Sequence, residues 1–192
     1  MTNSAPAKGF QIQIRYLVLP LLVAIVVFVV YLAIYLGAFK PVIIAEKTAG
    51  PFVLLSKKHT GPYQKIVAVI EEVEKWAKEQ GLDCKLSFGE YLDDPRTTEE
   101  ARLRSRGGCL LPQQPPMAVP EGFEVELRAE KKYVTAVFEG SPGIGPMKVY
   151  PKVFEYFESQ RLPREEAVME VYEVFSAEKM TTTYYFGIST TP

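Results

Sequence analysis

One histidine, His59, and two cysteines, Cys84 and Cys109, are all that the chain has of either residue. A zinc site built from Cys and His needs closely spaced ligand pairs, so none is implied. No triad motif surrounds His59, Ser56, Ser87 or Ser141, which leaves no recognisable nucleophile. Neither charge is in excess: the formal net charge is −1, the pI is near 6.0 and no basic stripe occurs. That balance argues against a nucleic-acid surface. No cofactor motif is present either, so none is expected. The two cysteines read as unpaired core residues, because free cysteine buries readily, although a hairpin could bring them together.

Charge is missing altogether between Tyr16 and Phe39. The run has 24 residues, 16 of them Leu, Ile, Val or Phe. As a helix it would reach about 36 Å, more than the roughly 30 Å of a bilayer's hydrocarbon. It is too long for the apolar core of a secretory signal, and Leu36-x-Ala38 is a poor cleavage site. The run therefore predicts one transmembrane helix over 16–39, behind an N-terminal tail at 1–15, with the lipid bilayer as a partner. Pro20 is expected in its first turns, where a missing N–H matters least. Lys8 and Arg15 precede the run, while Lys40, Lys47, Lys57 and Lys58 follow it. By that count the remainder faces the cytoplasm. A short basic tail before a long apolar run can equally stay inside and send the domain out.

The rest, 40–192, has an ordinary globular composition and repeats an order of elements. Two strand-like runs at Pro41–Ala45 and Phe52–Ser56 precede a helical stretch to Gln80, then Lys85–Leu92 and Gly108–Leu111. The same order returns at Phe123–Leu127, Tyr133–Phe138, a helical stretch to Gln160, Met169–Phe175 and Thr183–Ile188. Phe52 and Tyr133 are 81 positions apart, as are Tyr91 and Tyr172. In the first helix Ile66, Val69, Ile70, Val73, Trp76 and Ala77 form one apolar stripe, and Gly81 is a stop signal. The second carries Val149, Val153, Phe154 and Phe157. Proline-rich 112–122 reads as a connector between halves at 42–111 and 123–188. The expected fold is α+β: two pseudo-symmetric ββαββ halves in an antiparallel sheet, with two helices.

At His59-Thr-Gly-Pro-Tyr63 the sequence resembles the turn of the GyrI-like (gyrase-inhibitor-like) small-molecule-binding domain. Glu90-Tyr-Leu-Asp-Asp-Pro95, Arg106–Leu111 and Glu170-Val-Tyr172 resemble three further stretches of that family, in the same order. The arrangement of an anchor followed directly by such a domain is similar to that of a reticulophagy receptor of the endoplasmic reticulum. The long adaptor-binding tail has no counterpart before Pro192, so that role is not carried over. The resemblance implies a cleft between the helices and a small-molecule ligand. Its E-x-Y glutamate meets cationic, aromatic ligands, and Glu170 matches it; Tyr172 lies two residues on, on the same strand face. Tyr91, Tyr63 and Trp76 are further candidates for the walls.

Three function classes follow. The first is a membrane-anchored module that senses or sequesters an apolar or cationic molecule. The second is a hydrolase using the cleft glutamate, for which a lone carboxyl without His, Cys or metal is thin support. The third is a scaffold for a protein partner. Binding without turnover is the expectation.

Overall fold

The structure, a computed structural model, describes residues 8–176 and 179–189, so the first part of the proposed tail lies outside the described residues. The chain divides into two units that meet between Phe39 and Lys40.

The first unit holds helix α1, Lys8–Tyr35. It differs from expectation at both ends. Its start at Lys8 puts Pro20 in the helix interior, where the ring removes a backbone hydrogen bond rather than sparing one. Its end comes at Tyr35, because Gly37 takes a left-handed φ of 82° and the chain turns. The stretch long and apolar enough to cross a membrane is therefore Tyr16–Tyr35, 20 residues with mean hydropathy 3.2. At 1.5 Å per residue it spans about 30 Å, the hydrocarbon thickness itself.

The second unit is an eight-stranded antiparallel sheet with two helices. Its elements are β1 (Val42–Ala49), β2 (Phe52–Thr60), α2 (Ile66–Glu79), β3 (Leu86–Tyr91), β4 (Arg104–Leu111), β5 (Phe123–Arg128), β6 (Lys131–Glu139), α3 (Gly145–Gln160), β7 (Arg164–Ser176) and β8 (Lys179–Ile188). The strand order is β1-β6-β8-β7-β3-β4-β2-β5. Each half thus lends its first strand to the other: β1 pairs with β6 and β5 with β2. This exchange joins the halves into one sheet that neither completes alone. We predict that residues 40–192 fold without α1 as a soluble monomer, because both halves and both exchanged strands are present. Aggregation of that fragment in gel filtration, where the full chain is stable in detergent, would count against it.

Both helices form for the reason their sequences give. On α2, Ile66, Ile70, Val73 and Ala77 recur at intervals of three and four and are buried. The helix stops in a Schellman motif: Gly81, at φ 70°, donates to Lys78 and Leu82 donates to Ala77. On α3, Val149, Val153 and Phe157 are buried and the same motif closes the helix, with Arg161 in the left-handed position.

The sheet's helix-covered face carries two apolar clusters. One packs Leu55, Cys109 and Leu111 against Val73 and Ala77 of α2. The other packs Val134, Phe138, Tyr184 and Phe186 against Val149, Val153 and Phe157 of α3. On the opposite face the sheet curls, so that Phe52 on β2 meets Tyr185 on β8, with three strands between them, at 5.6 Å between ring centres. Leu54, Phe88 and Met169 are buried there. Beside them Glu90 is held by Arg106 at 2.5 Å and Arg128 at 2.8 Å, and Arg106 and Arg128 both reach Glu126.

The cysteines depart from expectation. Cys84, in the segment after α2, and Cys109, on β4, are bonded, with Cα atoms 5.5 Å apart. The physical reason is that β4 runs under α2 and the segment leaving that helix returns over it, so the thiols converge across a 25-residue separation.

Candidate ligand site

Strands β3 and β7 run side by side in the middle of the sheet, and Gly89 pairs with Glu170. The flanking pairs Ser87–Tyr172 and Tyr91–Val168 step away symmetrically. With a repeat of 81, Gly89 and Glu170 are each other's equivalents, and the pseudo-two-fold axis passes between them. Tyr91 and Tyr172, also 81 apart, are mates across that axis, and their hydroxyls are 3.1 Å apart.

The axis is symmetric in backbone and asymmetric in chemistry. A Cβ at Gly89 would lie 3.2 Å from the Tyr91 hydroxyl and 3.3 Å from that of Tyr172, so the two phenols occupy the space its missing side chain leaves. Across from it Glu170 is only 3% exposed. Tyr150, on α3, donates to its Oε1 at 2.9 Å, and Tyr172 donates to its Oε2 at 3.2 Å. No salt bridge reaches Glu170 among the described residues. Burial raises its pKa to about 7, against the lowering effect of the two phenol hydrogen bonds. Burial and then the Glu170 charge raise Tyr150, Tyr172, Tyr91 and Tyr184 well above the ordinary phenol value. The phenols therefore stay protonated, and Tyr150 and Tyr172 are the two that donate to Glu170. Rings complete the surroundings: Tyr150 stands edge-on to Phe154, Tyr184 and Phe186 at 5.8, 6.1 and 5.3 Å.

Of the residues singled out from sequence, the structure brings together Glu170, Tyr172 and Tyr91. Tyr63 stands one layer out: its ring meets Tyr91 at 4.8 Å, and its hydroxyl donates to the Asp93 carbonyl at 2.7 Å. It braces the wall and the β3–β4 loop together. Trp76 does not join the group. It sits on the flank of α2 that faces Phe123 of edge strand β5, 5.5 Å between rings, in the cluster around Leu55 and Cys109. Tyr150 and Tyr184 are the two members that sequence reasoning missed. For Tyr184 the signal is in the duplication: Gly89 pairs Gly107 as Glu170 pairs Tyr184, so Tyr184 stands where the first half has glycine.

Geometrically this is a buried carboxyl whose only hydrogen-bond partners among the described residues are neutral phenols, walled by aromatic rings. Such a site attracts a cation twice over, through charge and through ring faces. A separate surface groove of about 400 Å³, lined by Lys58, His59, Leu92, Arg104 and Arg106 among others, lies beside the Gly61-Pro62 turn. Its cations are already matched, Lys58 to Glu124 and Arg104 to Asp93.

The duplicated α+β fold is that of a small-molecule-binding domain. The model of the GyrI-like small molecule binding domain matches residues 44–189, and the chain belongs to that family. No curated protein matches the chain. Among solved structures it is similar to EcmrR in its complex with DNA, at 12% identity and TM-score 0.62, over 94% of this chain and 69% of that one. The EcmrR C-terminal domain matches at 13% identity and TM-score 0.62, over 77% of this chain and 98% of that one. SAV2435 bound to tetraphenylphosphonium matches at 13% identity and TM-score 0.52, over 77% and 94%. At these identities the likeness is one of fold. The similarity to a reticulophagy receptor finds no support in these matches.

Proposed function

We propose that the chain is a membrane-anchored module that binds a cationic, aromatic small molecule between α2 and α3, with Glu170 as the counter-charge. The observation that carries this reading is a carboxylate 3% exposed that has phenol donors and no cation among the described residues. Leaving such a charge unpaired in the interior is unfavourable, and a ligand that brings a positive charge removes the penalty. Because the Tyr150 hydroxyl already holds Oε1, an entering ligand has to take over that bond. Anchoring rests on Tyr16–Tyr35, whose side chains are exposed and which matches one bilayer thickness.

The test uses two probes of one shape. Tetraphenylphosphonium, the compound in the SAV2435 structure, is a cation; tetraphenylborate is its anionic counterpart. Calorimetric titration of the detergent-solubilised chain at pH 8 should show binding of the cation and none of the anion. Equal binding of both would mean that an apolar surface, not Glu170, is responsible. Release of product from an ester-bearing cation in the same cell would favour the hydrolase reading of this carboxyl.

A further inference from the structure

We propose that the folded domain stands on the exoplasmic side of its membrane, the side remote from the cytoplasm, with the Lys8–Arg15 end of α1 facing inward. The inference rests on the anchor reading above and on two independent observations.

The first is the fate of the cysteines. Both are consumed in one bond, and no free cysteine remains. Cys109 is fully buried, packed with Leu55, Val73 and Ala77. Cys84 is half-buried against the same apolar cluster, and the 25-residue separation is not that of a redox-active Cys-X-X-Cys pair. The bond is structural. Cytoplasmic glutathione and thioredoxin keep thiols reduced while a chain folds, whereas a structural disulfide belongs to the oxidising side of a membrane.

The second is where the lysines after the span reside. Lys47 lies in β1, and Lys57 and Lys58 lie in β2. Lys57 pairs with Glu72 at 2.7 Å and Lys58 with Glu124 at 2.6 Å. They are part of a folded domain, and large domains cross membranes largely regardless of charge; only short flanks count. Lys40 alone then remains as flank on that side. Before Tyr16 stand Lys8 and Arg15, with no acidic residue at positions 8–15. The corrected count puts Lys8 and Arg15 inside and reverses the orientation that a plain tally of lysines implies. A ligand would therefore reach Glu170 from outside the cytoplasm.

Right-side-out sealed vesicles from cells making the full chain test this. Extraction by alkaline carbonate comes first: release of the chain would defeat the anchor itself. With the chain retained, external trypsin should degrade the domain, and both cysteines should resist maleimide–polyethylene glycol in denaturant until a reductant is added. Protection of the domain from trypsin, whatever the state of the thiols, would overturn the sidedness while leaving the anchor standing. An accessible domain with two free thiols would overturn the pairing argument. A second variant, Lys8→Glu with Arg15→Glu, should increase the share of chains whose domain is protected; no change would remove the charge argument.

Discussion

Glu170→Gln should lower the affinity for tetraphenylphosphonium roughly ten- to hundredfold, the effect of losing a charged partner worth about 1.5–3 kcal/mol. Gln keeps the shape and one accepting oxygen; its amide nitrogen replaces the other, and the phenol there turns to accept from it, so the change removes the charge with little change of shape. Glu173→Gln is the control: three positions on, it lies on the other face of β7 and is exposed. The pH dependence follows from burial. With a folded-state pKa raised by desolvation to about 7, wild-type affinity should be level above pH 7 and fall about tenfold per unit below it, as protons compete with the cation. The Gln variant should show a flat profile. Stability runs the other way. Because the folded pKa lies above the ordinary value of 4.5, the folded domain holds this proton more tightly than the unfolded chain. The stabilisation by the protonated carboxyl is complete below pH 4.5 and is lost as pH rises through 7. Above pH 7 the Gln variant should therefore be the more stable, by something on the order of 1–3 kcal/mol in urea titrations. Equal affinity of wild type and Glu170→Gln at pH 8 would take Glu170 out of the site.

What could be read from the sequence was whatever is local or exactly repeated. The first helix was legible because Ile66, Ile70, Val73 and Ala77 repeat at helical spacing and Gly81 ends the run. The axis was legible because β3 and β7 hold the interval of 81 that relates Tyr91 to Tyr172. Tyr150 was not, because the interval between α2 and α3 is 80, which matches Tyr150 with Ile70 and hides it from a search at 81. Trp76 was misplaced because helical spacing shows that a residue borders the buried stripe, not which flank of it faces the axis. The strand exchange was invisible for a different reason. Pairing β1 with β6 depends on contacts between residues some ninety positions apart, as in the bond from Thr135 to the Ala45 carbonyl, and alternation within a strand carries no record of its neighbour. The same holds for the cysteines. Neither Cys84 nor Cys109 has a local pattern that marks it as bonded, and only the path of the segment after α2 brings them together.

Breaking that bond should have the largest effect on the fold. In residues 40–192, Cys84→Ala with Cys109→Ala is expected to lower stability by about 3–4 kcal/mol, since a cross-link across 25 residues restrains the unfolded chain to that extent. For a domain of this size the melting temperature should fall by roughly 10 °C. Cys109 also fills space between α2 and β4, and its truncation removes packing as well as the bond. Comparing oxidised with reduced wild type separates the two contributions, because their side chains are otherwise the same. If the cross-link dominates, reduced wild type should melt close to the double variant; if packing dominates, it should melt close to the oxidised protein. A melting temperature unchanged by both the substitutions and reduction would mean that the 84–109 link does not form in the folded domain. The case for an exoplasmic domain would then rest on Lys8 and Arg15 alone.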